Sequence, residues 1–214
     1  ILAGGLGTRL REETLIKPKP MVEIGDRPIL WHILKIYSHF GINEFIICCG
    51  YKGYLLKEYF ANFYLHDSDV TFKLNSQKVT FDIHDGAMPD WEITLVNTGD
   101  NTNTGGRLGR IKNYLNLNEP FCFNYGDGVA DVNIKDLISF HKNNGKKVTL
   151  TAVQPPARFG ALELEGDNVI KFIEKPKGDN SWINGGFFIL EPSIFEKIDN
   201  DSCSWESDVL PQLA

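Results

Sequence analysis

Ile1-Leu2-Ala3-Gly4-Gly5-Leu6-Gly7-Thr8-Arg9-Leu10 reads as the last residues of a strand running into a glycine-rich loop. After the loop, Pro28 opens a segment with apolar residues at Ile29, Leu30, Ile33, Leu34 and Tyr37, a helical period that Gly41 is placed to stop. Glu44 to Gly50 is a continuous apolar strand, and Tyr54 to Phe63 suits a second helix. Strand, helix, strand and helix at this spacing predict an α/β fold. Its core is a Rossmann-like, mostly parallel central sheet with helices on both faces.

Farther along, the period changes. Val70, Phe72 and Leu74 alternate with polar residues, as do Val79, Phe81 and Ile83, with Asn75 to Lys78 as the turn. That pattern predicts an antiparallel hairpin leaving the main sheet. Ile93 to Asn97 and Pro120 to Tyr125 return as strands, separated by a polar loop from Thr98 to Gly106 and a helix from Gly106 to Tyr114. Ile134 to Asn143 is a helix ended by Gly145. Val148 to Val153, Ala161 to Glu165, Val169 to Glu174 and Gly186 to Leu190 are strands, and Pro192 to Ile198 and Ser207 to Ala214 are short helices. No repeat or linker interrupts them, so the reading is one domain over 1–214, expected to lack its first few residues and a C-terminal segment.

The 214 residues carry 42% hydrophobic and 23% charged side chains, which excludes wholesale disorder. No apolar run approaches the roughly 18 residues that cross a bilayer. The 22 basic and 28 acidic residues leave a net charge of −6, which argues against nucleic acid or an anionic membrane as a partner. Cys48, Cys49, Cys122 and Cys203 form no CxxC pattern, lie mostly in apolar runs and read as buried thiols. With no signal peptide, a reducing cytoplasm is the expected compartment.

The opening loop carries chemistry. Glycines at 4, 5 and 7 remove side chains where a backbone must approach a ligand, so their amides can line a phosphate chain. Arg9 adds a planar fork suited to phosphate oxygens. Lys19, between Pro18 and Pro20, presents an ammonium on a stiffened backbone. Two neighbouring motifs do not fit. Position 10 is Leu where G-x-G-x-x-G needs its third glycine, and position 8 is Thr where a P-loop needs Lys. Asp127, after an apolar strand and between Gly126 and Gly128, suits a hard cation or serves as a turn-forming residue.

The stretch Leu2 to Pro20, with Thr14 and Lys17-Pro18-Lys19-Pro20, resembles the signature of the sugar-1-phosphate nucleotidyltransferases, the nucleotide-sugar pyrophosphorylases. The likeness runs on through Gly126-Asp127, Phe159-Gly160, Glu174-Lys175-Pro176 and Asn184-Gly185-Gly186. It implies the nucleotide-diphospho-sugar transferase type of fold and an enzyme that joins a nucleoside triphosphate to a sugar 1-phosphate, releasing pyrophosphate. Cys48 to Tyr54, Asn103-Thr104-Gly105-Gly106-Arg107, Tyr125 to Gly128 and Ile183 to Phe188 are most similar to members acting on CTP and glucose 1-phosphate.

The resemblance implies roles residue by residue. Arg9 and Lys19 are the expected catalytic pair, and Asp127 the ligand of Mg²⁺. Leu2, Ala3, Gly4, Gly5, Leu6, Gly7, Thr8, Thr104, Gly105, Arg107 and Gly126 complete the nucleotide site. Glu174 accepts from sugar hydroxyls, Lys175 holds the sugar phosphate, and Gly160, Asn184 and Gly185 line the hexose; a solvated Glu-Lys pair is the other reading of Glu174-Lys175. Cytosine offers an N4 donor with O2 and N3 acceptors, so Arg107 is the candidate for the O2/N3 edge, with a solvent-facing arginine as the alternative. The family takes a second metal carboxylate from a later segment, and nothing after Ser207-Asp208 matches it. His32 and His39 fall on or near a helix beside core residues and read as structural, and His66, His84 and His141 have no acid or nucleophile partner at a useful spacing. The apolar hairpin predicts a homo-oligomer. Another base or hexose within the class, and a non-catalytic nucleotide-sugar sensor, are the competing functions.

Overall fold

A computed structural model describes residues 1–5, 7, 16–75, 78–86, 88–155, 161–173 and 182–214. A small antiparallel pair, β1 (Glu23–Ile24) and β2 (Arg27–Pro28), leads into helix α1 (Ile29–His39). Then come β3 (Glu44–Cys49), α2 (Gly53–Ala61), α3 (Tyr64–Asp67), the hairpin β4 (Ser68–Leu74) and β5 (Val79–Gly86), and β6 (Glu92–Asn97). Helix α4 (Thr104–Arg110), β7 (Phe121–Asn124), α5 (Ile134–Asn144) and β8 (Val148–Val153) follow. The last part holds β9 (Ala161–Glu165), β10 (Asn168–Ile173), β11 (Ile183–Leu190) and α6 (Leu210–Leu213).

The main sheet is knitted together by the first three residues. The Leu2 amide donates to the Asn124 carbonyl at 3.0 Å, and the Gly126 amide donates to the Leu2 carbonyl at 2.7 Å. On the other edge Cys48 donates to Ile1 at 2.9 Å and accepts from Ala3 at 3.0 Å. Leu2 thus bridges β3 and the end of β7 in parallel, and the order is β6, β3, Ile1–Ala3, β7, β11, β8. β3 and β6 pair in parallel, whereas β11 runs antiparallel to both β7 and β8. A mostly parallel sheet is therefore observed as expected.

Neighbouring residues on these strands enter opposite cores, which is why the apolar runs are continuous. Ala3, Phe45, Ile47, Cys49 and Phe187 pack with α1, α2 and α5. Leu2, Cys48, Phe123 and Phe188 pack with Leu108 and Ile111 and with the C-terminal turns, where Trp205 is fully buried. α1 forms because Ile29, Leu30, Ile33, Leu34 and Tyr37 share one buried face; Gly41 then turns the chain at φ +83°. Gly145 ends α5 at φ +57°, a left-handed cap that glycine adopts without cost. Burial pushes the Cys49 thiol up to about 11 and Cys122 up to about 12, so both stay neutral.

Three details depart from the sequence reading. α4 begins at Thr104, so Thr104 and Gly105 lie in a helix rather than in the polar loop. The expected helix over Ser207 to Ala214 is instead a five-residue π turn, Trp205–Val209, followed by α6. His141 does have partners: it is buried, with Nδ1 2.8 Å from Thr149 Oγ1 and Nε2 3.1 Å from Glu191 Oε1. Those contacts tie α5 to β8 and to the end of β11, a structural role. The hairpin β4–β5 is observed with Leu74 opposite Val79, and no helix among the described residues is long and apolar enough to cross a membrane.

Candidate active site

The chain passes from the central Ile1–Ala3 strand to β3 and β6 on one side, then crosses to β7 on the other. A crevice opens at such a switch point, beyond the carboxyl ends of the strands. Gly4 and Gly5 leave the first strand there, Thr98 leaves β6, and Tyr125 to Gly128 leave β7. Because β11 is antiparallel, its opening residues Ile183 to Gly186 reach the same end, past the Phe187–Asn124 pair.

Two of the expected site residues meet in this crevice. The Lys19 ammonium is ion-paired with Asp127 Oδ2, across 108 residues of sequence. Lys19 is held by the 3₁₀ turn Lys19–Met21, entered from Pro18, with the Met21 amide bonded to the Pro18 carbonyl at 2.8 Å. Asp127 sits in the tight turn after β7. A Cβ on Gly126 would lie 2.6 Å from the Leu2 carbonyl oxygen and 2.8 Å from Pro20 Cγ, so that turn needs glycine. Both charged side chains keep partial exposure, 25% and 33%.

Arg107 lies beneath the glycine loop and is neither solvent-facing nor loosely held. It is 4% exposed, and a Cβ on Gly4 would lie 2.5 Å from its Cζ. Its Nη1 donates to Gly99 O at 2.6 Å, Thr98 Oγ1 at 2.8 Å and Cys49 O at 3.4 Å, and Nη2 donates to Asp100 O at 3.2 Å. A buried guanidinium is tolerable only with such acceptors. Desolvation lowers its pKa from the ordinary arginine value. The result is a fixed cation under Gly4 and Gly50.

The other nucleotide-side residues divide by their surroundings. Leu2 and Ala3 turn their side chains into the two cores, so only their backbone can serve a ligand. Gly5 is exposed, and among the described residues a Cβ there would meet nothing within 4 Å. Gly7 has φ +66°. At Gly105 a Cβ would lie 2.8 Å from the Cys203 carbonyl, and at Gly185 2.9 Å from the Thr151 carbonyl. Packing explains those two glycines without a ligand. Leu6, Thr8, Arg9, Gly160, Glu174 and Lys175 lie outside the described residues, as does Thr14.

Two residues that the sequence reading left without a role join the site. Tyr125 Oη donates to Glu206 Oε1 at 2.8 Å and accepts from Asn184 Nδ2 at 3.3 Å. Thr104 Oγ1 donates to Glu206 Oε2 at 2.6 Å. Burial, then the Glu206 hydrogen bond, raises the Tyr125 phenol well above its usual pKa. No period or spacing signals these contacts, because 81 and 102 residues separate the partners.

A sheet of this order, with a glycine loop, a fixed arginine and a lysine–aspartate pair at its switch point, suits a phosphate-bearing ligand. The chain belongs to the nucleotidyl transferase family, whose model matches residues 1–209. It is 59% identical over 214 residues to a glucose-1-phosphate cytidylyltransferase of Salmonella typhi, covering 100% of this chain and 82% of that one. A probable glucose-1-phosphate cytidylyltransferase of Bacillus subtilis is 40% identical over 215 residues, covering 100% and 83%. The crystal structure of HddC from Yersinia pseudotuberculosis superposes with a TM-score of 0.69 at 24% identity over 100% of this chain and 84% of that one, a shared fold.

Gly126→Ala tests the turn that carries Asp127. Forcing a methyl against backbone is expected to cost about 1–3 kcal/mol in urea denaturation. Unchanged stability would show that the turn has room to spare.

Proposed function

We propose that this chain transfers a cytidylyl group from CTP to α-D-glucose 1-phosphate, giving CDP-glucose and pyrophosphate. The observation that carries the reading is the meeting of Lys19 and Asp127 at the switch point, beside the exposed Gly5. The full-length likeness to glucose-1-phosphate cytidylyltransferases supports the choice of substrates.

In this reaction a phosphate oxygen of glucose 1-phosphate attacks the α-phosphorus in line and pyrophosphate leaves. The nucleophile is already anionic, so the protein needs no general base, and catalysis is positioning and charge neutralisation. The amides of Gly4, Gly5 and Gly7, with Leu6, Thr8 and Arg9, receive the triphosphate. Lys19 balances charge gathering at the α-phosphate. Glu174 and Lys175, with Gly160, Asn184 and Gly185, orient the sugar phosphate. Arg107 faces the cytosine edge with the hydrogens on Nε and Nη2 that bond no described residue.

The residues fit a divalent cation, because Asp127 already holds a positive charge in the form of the Lys19 ammonium. Mg²⁺ would be held by Asp127 together with phosphate oxygens, and supplies charge neutralisation when bound. With Asp127 holding the cation, the Lys19 ammonium beside it would be available to phosphate oxygens. Four free thiols support a reducing compartment, the cytoplasm.

Pyrophosphate release with CTP, UTP, dTTP, ATP and GTP, each with glucose 1-phosphate, tests the substrate choice. CTP is expected to lead, and Lys19→Ala to lose about 10²–10³ in turnover. Equal rates with all five nucleotides, or full activity in the variant, would contradict it. A wild type that binds CDP-glucose without turnover would mark a sensor.

The homo-oligomer rests on the hairpin. Phe72, Leu74, Val79, Phe81 and Ile83 are all exposed on a two-stranded ribbon, which is marginal alone in water. Sedimentation is expected to give a multiple of 24.1 kDa, and a monomer mass would contradict it.

A further inference from the structure

Glu206 has no role in binding or catalysis assigned so far, yet both of its carboxylate oxygens are engaged by residues of the site. Oε2 accepts from Thr104 Oγ1 at 2.6 Å and from Ser204 Oγ at 3.2 Å, and Oε1 accepts from Tyr125 Oη at 2.8 Å. Tyr125 is next to Gly126-Asp127, and its hydroxyl also receives Asn184 Nδ2 at 3.3 Å. Asn184 Oδ1 in turn accepts the Gly186 amide at 2.8 Å, which fixes the side chain against its own strand. One carboxylate therefore joins the first residue of α4 on the nucleotide side to Asn184 on the sugar side.

The carboxylate is mounted rigidly. It stands on the π turn Trp205–Val209, a rare geometry that frequently occurs at functional sites. Trp205 is fully buried, with its ring 5.6 Å from Phe123 and 5.9 Å from Phe188, and its amide donates to Thr104 Oγ1 at 2.9 Å. Ser204 caps the turn from both sides: its hydroxyl accepts the Ser207 amide at 3.1 Å, and its amide donates to Asp208 at 2.7 Å. The preceding segment is laced to α4 by the two-bond Arg110–Asp201 contact, at 2.8 and 2.5 Å, and by Gly106 N to Cys203 O at 3.0 Å. A stability role alone would need Trp205 in the core; it would not need an exposed carboxylate reaching two hydroxyls, one at the start of α4 and one at the end of β7.

We infer that Glu206 is a positioning residue that sets the nucleotide half and the sugar half of the site against each other, through Thr104 on one side and Tyr125 with Asn184 on the other. This rests on the reaction proposed above. The two arms are separable with little change in volume: Tyr125→Phe cuts only the second, whereas Thr104→Val cuts the first and also takes the acceptor from the Trp205 amide, so its melting temperature is expected to fall as well. Glu206→Ala cuts both.

The experiment measures kcat and both KM values for wild type, Glu206→Ala, Tyr125→Phe and Thr104→Val, with thermal melting of each. Tyr125→Phe is expected to raise KM for glucose 1-phosphate about tenfold and leave KM for CTP within about twofold, with Thr104→Val doing the reverse. Glu206→Ala raises both, and adding Tyr125→Phe to it raises KM for glucose 1-phosphate no further, the non-additivity of a shared network. Glu206→Ala with both KM values within about twofold of wild type, and only its melting temperature lowered, would overturn the inference. The conservative single variants decide the matter if Glu206→Ala fails to fold: equal KM changes on both substrates in each would also overturn it. Should wild type prefer another nucleotide and hexose 1-phosphate, the proposed substrates fail, and the same comparison with that pair still tests the tie.

Discussion

Leu2 gives its amide to Asn124, takes the Gly126 amide on its carbonyl, and sits beside Cys48 on its other edge. Those bonds place a three-residue strand in the middle of the sheet, and the crevice follows from them. They fix Gly4 and Gly5 beside the turn that carries Asp127. They also leave no room for a side chain at Gly126, whose amide is spent on Leu2. The glycine turn and the Asp127 carboxylate are thus held in register by backbone bonds rather than by flexible side chains, which on the proposed function lowers the cost of ordering the site when a ligand arrives.

Charge is arranged to the same end. The chain carries a net −6, yet Lys19 and Arg107 stand at the crevice. Arg107 is fixed by four protein oxygens and serves as a permanent positive floor under Gly4. Lys19 is partly exposed and ion-paired with the Asp127 carboxylate. On the proposed reading, these two cations let an acidic body take phosphorylated substrates without attracting polyanions in general.

Much of the fold was legible because burial on both sheet faces writes continuous apolar runs and a helix period into the sequence. Ile29 to Tyr37 and Glu44 to Cys49 are examples, and the hairpin was visible in its period of two. The start of α4 was not, since Gly105 and Gly106 are poor helix formers; the helix is held there by close packing on the Cys203 and Asp201 backbone. The π turn at Trp205 has no simple period to read. Among site residues, Lys19 and Asp127 were legible from glycine and proline neighbours and from the family resemblance. Arg107 was placed near the right element, but its burial depends on carbonyls from two other strand ends. The contacts of Glu206 with Tyr125 and Thr104, and of His141 with Glu191, were invisible because folding alone joins partners 50 to 102 residues apart.

The most direct measurement is a crystal structure of the chain with CDP-glucose and Mg²⁺. The expected map shows the diphosphate between Gly4–Gly7 and Asp127, the base toward Arg107, the hexose toward Asn184, and Lys19 parted from Asp127. Product bound in another groove, or seated in the crevice with the Lys19–Asp127 pair intact, would contradict the proposed site.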